Sequence, residues 1–227
     1  MLVRRKYDPR PAVRMADVGY VDHGSGSGAL CLDFANTVDW HASDHPTDTL
    51  RGYGDLVEWS RRRGILNSSE AKSLLTAFGN QKGLGDDVMA EAAKLREAVY
   101  RLFSDKRRGG YAREEDLNTI NAQLSKGMSM ARLASEGGSF RWGWKCDEHT
   151  PGMMLWSVAR DAAELLTSER LGRVKACANE EEGCGWLFLD TSRSGNRVWC
   201  SMESCGNRAK FRAFYARQKV KGRKPKA

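Results

Sequence analysis

Cys177-Ala-Asn-Glu-Glu-Glu-Gly-Cys184-Gly-Trp-Leu-Phe-Leu-Asp190 and Arg197-Val-Trp-Cys200-Ser-Met-Glu-Ser-Cys205-Gly-Asn-Arg-Ala-Lys210 decide how the C-terminal part of this chain folds. The cysteines are spaced Cys177-x6-Cys184, then fifteen residues, then Cys200-x4-Cys205. Two cysteine pairs joined by a loop can set four thiolates tetrahedrally around Zn2+, each about 2.3 Å from the metal. Gly183, Gly185 and Gly206 flank the sulfurs and let the backbone bend there without a Cβ clash. Four thiolates leave no position for water, so the expected ion, one Zn2+, is structural and not catalytic. Paired disulfides are the competing reading, disfavoured in a reducing compartment. A segment this small buries little core alone, so the metal is expected to supply most of its folding energy.

Outward from the cysteines, charge divides the chain. Of 37 Lys and Arg and 29 Asp and Glu overall, the stretch from Arg173 to Ala227 holds 13 and 5, a net 13 − 5 = +8. The rest has 37 − 13 = 24 basic and 29 − 5 = 24 acidic residues and is neutral. A neutral body with a basic end suggests two parts, the second facing a polyanion. A solubilising tail is the plainer alternative. No run approaches the roughly 18 apolar residues of a membrane span. The charged opening Met1-Leu-Val-Arg-Arg-Lys-Tyr-Asp-Pro shows no export signal, so a cytoplasmic location is expected and no membrane partner. Cys31 lies in an apolar run and reads as a small buried hydrophobe; Cys146 has no assigned role.

Periodicity makes the region before the cysteines mainly helical. Residues 1–28 read as a basic arm ending in the linker Gly24-Ser-Gly-Ser-Gly28, which lacks the Lys-Ser/Thr of a phosphate loop. Helices are expected over Ala29–Trp40, Tyr53–Leu66, from a cap at Ser68 or Ser69, over Asp86–Lys106, Glu114–Leu124 and Met153–Leu171. Arg132-Leu-Ala and Phe140-Arg-Trp-Gly-Trp144 read as a small β-hairpin across Gly137-Gly138. The expected fold is therefore mainly α, with a helical domain at 29–172 and a small four-cysteine zinc module with a basic helix at 173–218. A basic, disordered tail at 219–227 completes it.

Within the module, Trp186-Leu-Phe-Leu-Asp190 reads as a strand and Gly206–Lys219 as a helix. At about 100° per residue, Arg208, Arg212 and Lys219 share a narrow stripe, and Phe211 and Phe214 are expected to pack on the Trp186/Phe188 strand. Such a helix suits phosphate contacts, with flanking residues reaching base edges. The candidate nucleic-acid contacts are Arg193, Arg197, Arg208, Lys210, Arg212 and Lys219. A merely solvated charged face is the alternative.

These segments resemble the CGNR zinc-finger family, named for the tetrapeptide that stands here at Cys205-Gly-Asn-Arg208. Upstream, Cys31-Leu-Asp-Phe-Ala-Asn-Thr-Val38, followed by Leu50 and Leu56-Val-Glu-Trp59, resembles the ABATE domain that usually precedes this finger. The resemblance implies a stress-linked bacterial transcription regulator that binds DNA through its basic finger. One departure is the spacer Asn179-Glu-Glu-Glu-Gly183, longer and more acidic than the family pattern. It is expected to leave ligation intact while weakening DNA affinity.

Asp33, Asn36, Thr37 and Trp40 interrupt the first helix. Asp33, Asn36 and Trp40 would share a helical face that is either a buried hydrogen-bond network or the lining of an effector pocket. His41 and His45 form no recognisable catalytic or metal arrangement, and no Gly-x-Ser-x-Gly or paired-carboxylate signature is present. The expected protein is thus a zinc-dependent, DNA-binding regulator, not an enzyme, whose body senses a small molecule or forms a homodimer. An RNA- or protein-binding adaptor, or an enzyme with its site in the helical body, is the alternative.

Overall fold

The computed structural model describes residues 13–14, 27–79, 83–107, 109–136, 139–145, 150–179 and 182–222, and among these the chain is mainly helical. The helices are α1 (Leu30–Ala35), α2 (Tyr53–Arg62), α3 (Ser68–Phe78), α4 (Leu84–Arg107), α5 (Glu114–Met130), α6 (Met153–Leu166) and α7 (Asn207–Gly222). Seven short strands accompany them: β1 (Val13–Arg14), β2 (Val38–Asp39), β3 (Thr47–Asp48), β4 (Ala131–Glu136), β5 (Ser139–Trp144), β6 (Val174–Ala176) and β7 (Leu187–Leu189). All pairings are antiparallel.

Apolar residues at Val88, Ala92, Leu95, Val99, Leu102 and Phe103 give α4 a buried face along most of its length. Against it pack α1, α2, α5 and α6, burying Phe34, Leu56, Met154, Leu155 and Leu165 in one core. The β4–β5 hairpin stands where the sequence places it, and β1 adds a third strand, Val13 opposite Trp144. Part of the expected arm therefore belongs to the body's sheet.

Helix ends differ from the sequence expectation for local reasons. Asn67, not Ser68 or Ser69, caps α3: its Oδ1 accepts from the Ser69 and Glu70 amides at 2.9 Å, while Glu70 Oε2 accepts from the Asn67 amide at 2.7 Å. Helix α5 continues past Leu124 to Met130 because Gly127 is no stop; a Cβ there would lie 2.9 Å from Trp156 Cβ, so glycine allows close packing. Helix α6 ends at Leu166, where the Thr167 and Ser168 hydroxyls donate to Ala163 O and Leu165 O. Helix α1 stops at Ala35, and the chain turns into β2. Asn36 and Trp40 therefore do not share a helical face.

The two parts share one core. Val174, Leu187 and Leu189 belong to the same core as Phe34 and Leu155. The β6–β7 hairpin packs into the body's core and carries the metal loops and α7 beyond it.

Candidate metal centre and the basic helix beside it

Cys177 follows β6, and its amide donates to Trp186 O at 2.8 Å, closing the hairpin just before the first knuckle. Cys184 follows a turn in which Gly183 and Gly185 have φ of 82° and 64°. Left-handed backbone favours glycine, and space forbids anything larger. A Cβ on Gly183 would lie 2.4 Å from Ser43 Cβ, and one on Gly185 would lie 2.7 Å from the Ala42 amide nitrogen. Cys200 precedes, and Cys205 lies within, a π-helical turn, Met202–Gly206, that runs directly into α7.

The four ligand sulfurs all lie within 4.8 Å of one another. Tetrahedral zinc at about 2.3 Å from each thiolate puts sulfurs about 3.8 Å apart. Cys184 Sγ is 3.8 Å from Cys200 Sγ and 3.6 Å from Cys205 Sγ, so the cluster fits the ion. The Cys184 and Cys200 thiols hold the Cys177 thiol well below its ordinary range, while the contact with Cys177, together with burial, pushes Cys184 up to about 12. Crowded sulfurs resist full ionisation unless a cation joins them. Trp186 and Trp199 flank the cluster, and the Asn179 amide donates to Cys205 Sγ at 3.7 Å.

Beside the metal centre, Asp190 organises the loop between β7 and Cys200. Its buried carboxylate accepts from Lys175 Nζ at 2.6 Å, from the Ser192 amide at 3.0 Å and from the Arg197 amide at 2.9 Å. Burial pushes this carboxyl up, but those donors outweigh it and hold it well below the usual carboxylate range. A depressed carboxyl stabilises the fold above its unfolded pKa of about 4 and loses that contribution as pH falls further. Asp190→Asn is expected to cost about 2 kcal/mol at neutral pH, allowing for the partly exposed Lys175. The gap from wild type should narrow below about pH 4. Denaturant melts of both proteins at the two pH values check this.

The predicted nucleic-acid contacts separate into two groups. Arg197 is a brace: its guanidinium lies 4.4 Å from the Phe188 ring centroid and donates to Trp199 O at 3.0 Å and to Cys200 O. Arg212 donates to Asn179 Oδ1 and pairs with Glu182, so part of the acidic spacer anchors α7. Arg208 stacks over the Trp40 ring at 4.8 Å. Arg193 and Lys210 are exposed, with no ion pair among the described residues. Lys219 lies inside α7, which continues to Gly222; residues 223–227 of the expected tail lie outside the described residues. Phe211 and Phe214 do not pack on the β7 strand; they are 64% and 49% exposed, because Arg197 covers Phe188 instead.

The four polar residues of the first segment each have a partner. Asp33 accepts from the Ser27 amide at 2.7 Å and pairs with Arg63 at 2.9 Å. Asn36 donates to Leu187 O at 2.8 Å and accepts from the Leu187 amide at 2.9 Å. Thr37 donates to Phe34 O at 2.7 Å and accepts from Arg96 at 3.3 Å. Trp40 sits at φ 56°, uncommon for a bulky residue, beneath Arg208. His41 stacks on Tyr100 and reaches Glu97 at 3.1 Å; its hydrogen bond holds the Glu97 carboxyl below the usual range. Sequence reading missed the role of the next residues along: Asp39 accepts from Trp186 Nε1 at 2.7 Å, and the Ala42 amide donates to Gly183 O at 3.2 Å. The paired glycines around Cys184 were the available signal, since such turns often mark close approach of another backbone.

A helical body bearing a closed four-thiolate knuckle that runs into a basic helix defines a zinc-finger protein. The CGNR zinc-finger model matches residues 173–218, so the four clustered cysteines could coordinate one zinc ion in the manner of that finger. The chain belongs to the ABATE family, described as "putative stress-induced transcription regulator", whose model matches residues 28–169. Neither family is one of enzymes. No curated protein matches the chain. Among the described residues, no helix is long and apolar enough to cross a membrane.

Proposed function

We propose that the protein is a zinc-dependent transcription regulator that binds duplex DNA through its finger, with the helical body as the platform that sets the finger's orientation. The observation that carries this reading is the surface around the metal centre. From Thr191 onward the only acidic residue is Glu203, and exposed Arg193, Lys210 and Arg217 stand on one continuous segment with it. Such a surface neutralises phosphates and releases their counterions. Family membership supports the same reading. The platform is segment 36–43, which meets the finger at Leu187, Trp186, Gly183 and Arg208. With Asp33, Asn36 and Thr37 all hydrogen-bonded within the protein, this role needs neither an effector nor a second copy.

Fluorescence anisotropy with labelled duplex DNA over a range of salt tests the proposal. Affinity is expected to fall with salt at a slope of about −0.9 per phosphate contact. Removing residues 223–227 deletes Arg223, Lys224 and Lys226 without shortening α7. That truncation should flatten the slope by up to about 2.7 and weaken all sequences alike. Arg208→Ala should instead loosen the finger on the body through loss of the Trp40 stack. Absence of salt-sensitive duplex binding at low ionic strength would sink the proposal in favour of an RNA- or protein-binding adaptor.

A further inference from the structure

Helix α7 leaves the protein with its apolar side chains uncovered. Its substantial packing among the described residues is against the turn Met202–Gly206 that leads into it. Arg208 on Trp40 holds its first turn to the platform, and Arg212 on Asn179 and Glu182 ties it to the knuckle spacer. Beside them, Phe211, Phe214 and Tyr215 are 64%, 49% and 63% exposed, with Phe214 and Tyr215 edge to face at 5.5 Å. Exposed rings in such a cluster mark a contact surface.

The arrangement of charge around these rings narrows the partner. At about 100° per residue, Phe211, Phe214, Tyr215 and Gln218 occupy one stripe about 100° wide. Lys210, Arg217 and Lys221 fall on one side of it, and Arg208, Arg212 and Lys219 on the other. Ala209, Ala213, Ala216 and Val220 form the back of the helix. No acidic residue occurs between Asn207 and Gly222. An aromatic stripe between two basic rows fits a surface with apolar groups between two rows of negative charge. The major groove of B-DNA is such a surface: about 12 Å wide, it admits a helix, carries thymine 5-methyl groups on its floor and has phosphates along both edges. A second copy of α7 would instead set six cations against six.

We infer that α7 is a major-groove element whose Phe211–Phe214–Tyr215 stripe contacts thymine methyl groups while Lys210 and Arg217 on one side and Lys219 on the other meet the phosphate backbones. This rests on the DNA-binding reading above. The aromatic rings then carry the sequence preference, and Arg208 and Arg197 serve the finger's architecture.

The test uses the full zinc-loaded chain. A duplex is selected from a random 30-base-pair pool and remade with deoxyuridine in place of every thymidine, which removes the methyl groups and keeps base pairing. Each methyl buried against a ring should contribute about fourfold, so two contacts predict roughly 15-fold weaker binding to the uracil duplex. The salt slope should stay unchanged, because phosphate contacts are untouched. The variant with Phe211→Ala, Phe214→Ala and Tyr215→Ala should bind both duplexes equally and keep its zinc, since these side chains lie outside the core. Equal binding of wild type to the thymine and uracil duplexes overturns the inference while leaving DNA binding in place. Tighter binding to single strands than to duplex, or loss of a dimer in sedimentation as the variant's main defect, overturns it as well. Failure to bind any duplex overturns the DNA-binding reading itself.

Discussion

Cys200→Ser is expected to strip zinc from the protein and to release α7 while the helical body goes on melting cooperatively. Cys200 is one of four sulfurs that lie within 4.8 Å of one another, and the remaining three thiolates make a far weaker site. Structural zinc in small fingers contributes about 10–16 kcal/mol of apparent binding energy, which here is folding energy for the loops that carry the ligands. Helix α7 starts two residues after Cys205, and its other ties are Arg208 to Trp40 and Arg212 to Asn179 and Glu182. Asn179 is itself positioned by the knuckle, donating to Cys205 Sγ and accepting from the Cys184 amide. Without the ion these ties lose their frame. The β6–β7 hairpin should survive, because Val174, Leu187 and Leu189 are held by the body's core. Elemental analysis should read one zinc per chain in wild type and none in the variant. Hydrogen exchange should show loss of protection confined to the knuckle loops and residues 207–222. Retained zinc, or retained protection of α7, would contradict this account.

Asn36→Ala should have the next largest effect, and chiefly on stability. Its side-chain amide acts as a short strand edge for Leu187, satisfying both the carbonyl and the amide of a fully buried residue. Alanine leaves both groups unpaired in the core, at about 1–3 kcal/mol for each group that water cannot reach. A total near 3 kcal/mol corresponds to a fall of about 6–12 °C in melting temperature for a chain of this size. The same bonds tie the hairpin to the segment under the finger, so DNA affinity should fall along with stability. A thermal melt of the variant within about 1 °C of wild type would remove Asn36 from this role.

The helices, the β4–β5 hairpin and the cysteine cluster were legible because each depends on residues close in sequence. Leu56 and Trp59 lie one turn apart on α2, and the α4 pattern repeats over a single buried face. Helix ends were less legible, since caps are decided by competition among neighbouring polar groups. Asn67 won over Ser68 and Ser69 because Glu70 could reach back to its amide and close a capping box. The stripe of Arg208 and Arg212 was visible from periodicity, yet their partners were not. Trp40 and Asn179 come from two other segments.

Spacing and composition determined the four-cysteine cluster, the helical body, the basic excess after residue 172 and the absence of acids along α7. These follow from local chemistry: thiolates need a loop of the right length, and helical faces repeat at a fixed period. Tertiary structure alone decided that the β6–β7 hairpin belongs to the body's core, that Asn36 binds Leu187, and that Arg197 and Arg212 brace the finger. It also decided that Phe211, Phe214 and Tyr215 face solvent. A side chain's partner is whatever folding brings beside it, and apolar rings are buried only where another surface arrives. Arg197 covers Phe188, and the aromatic stripe of α7 stays exposed.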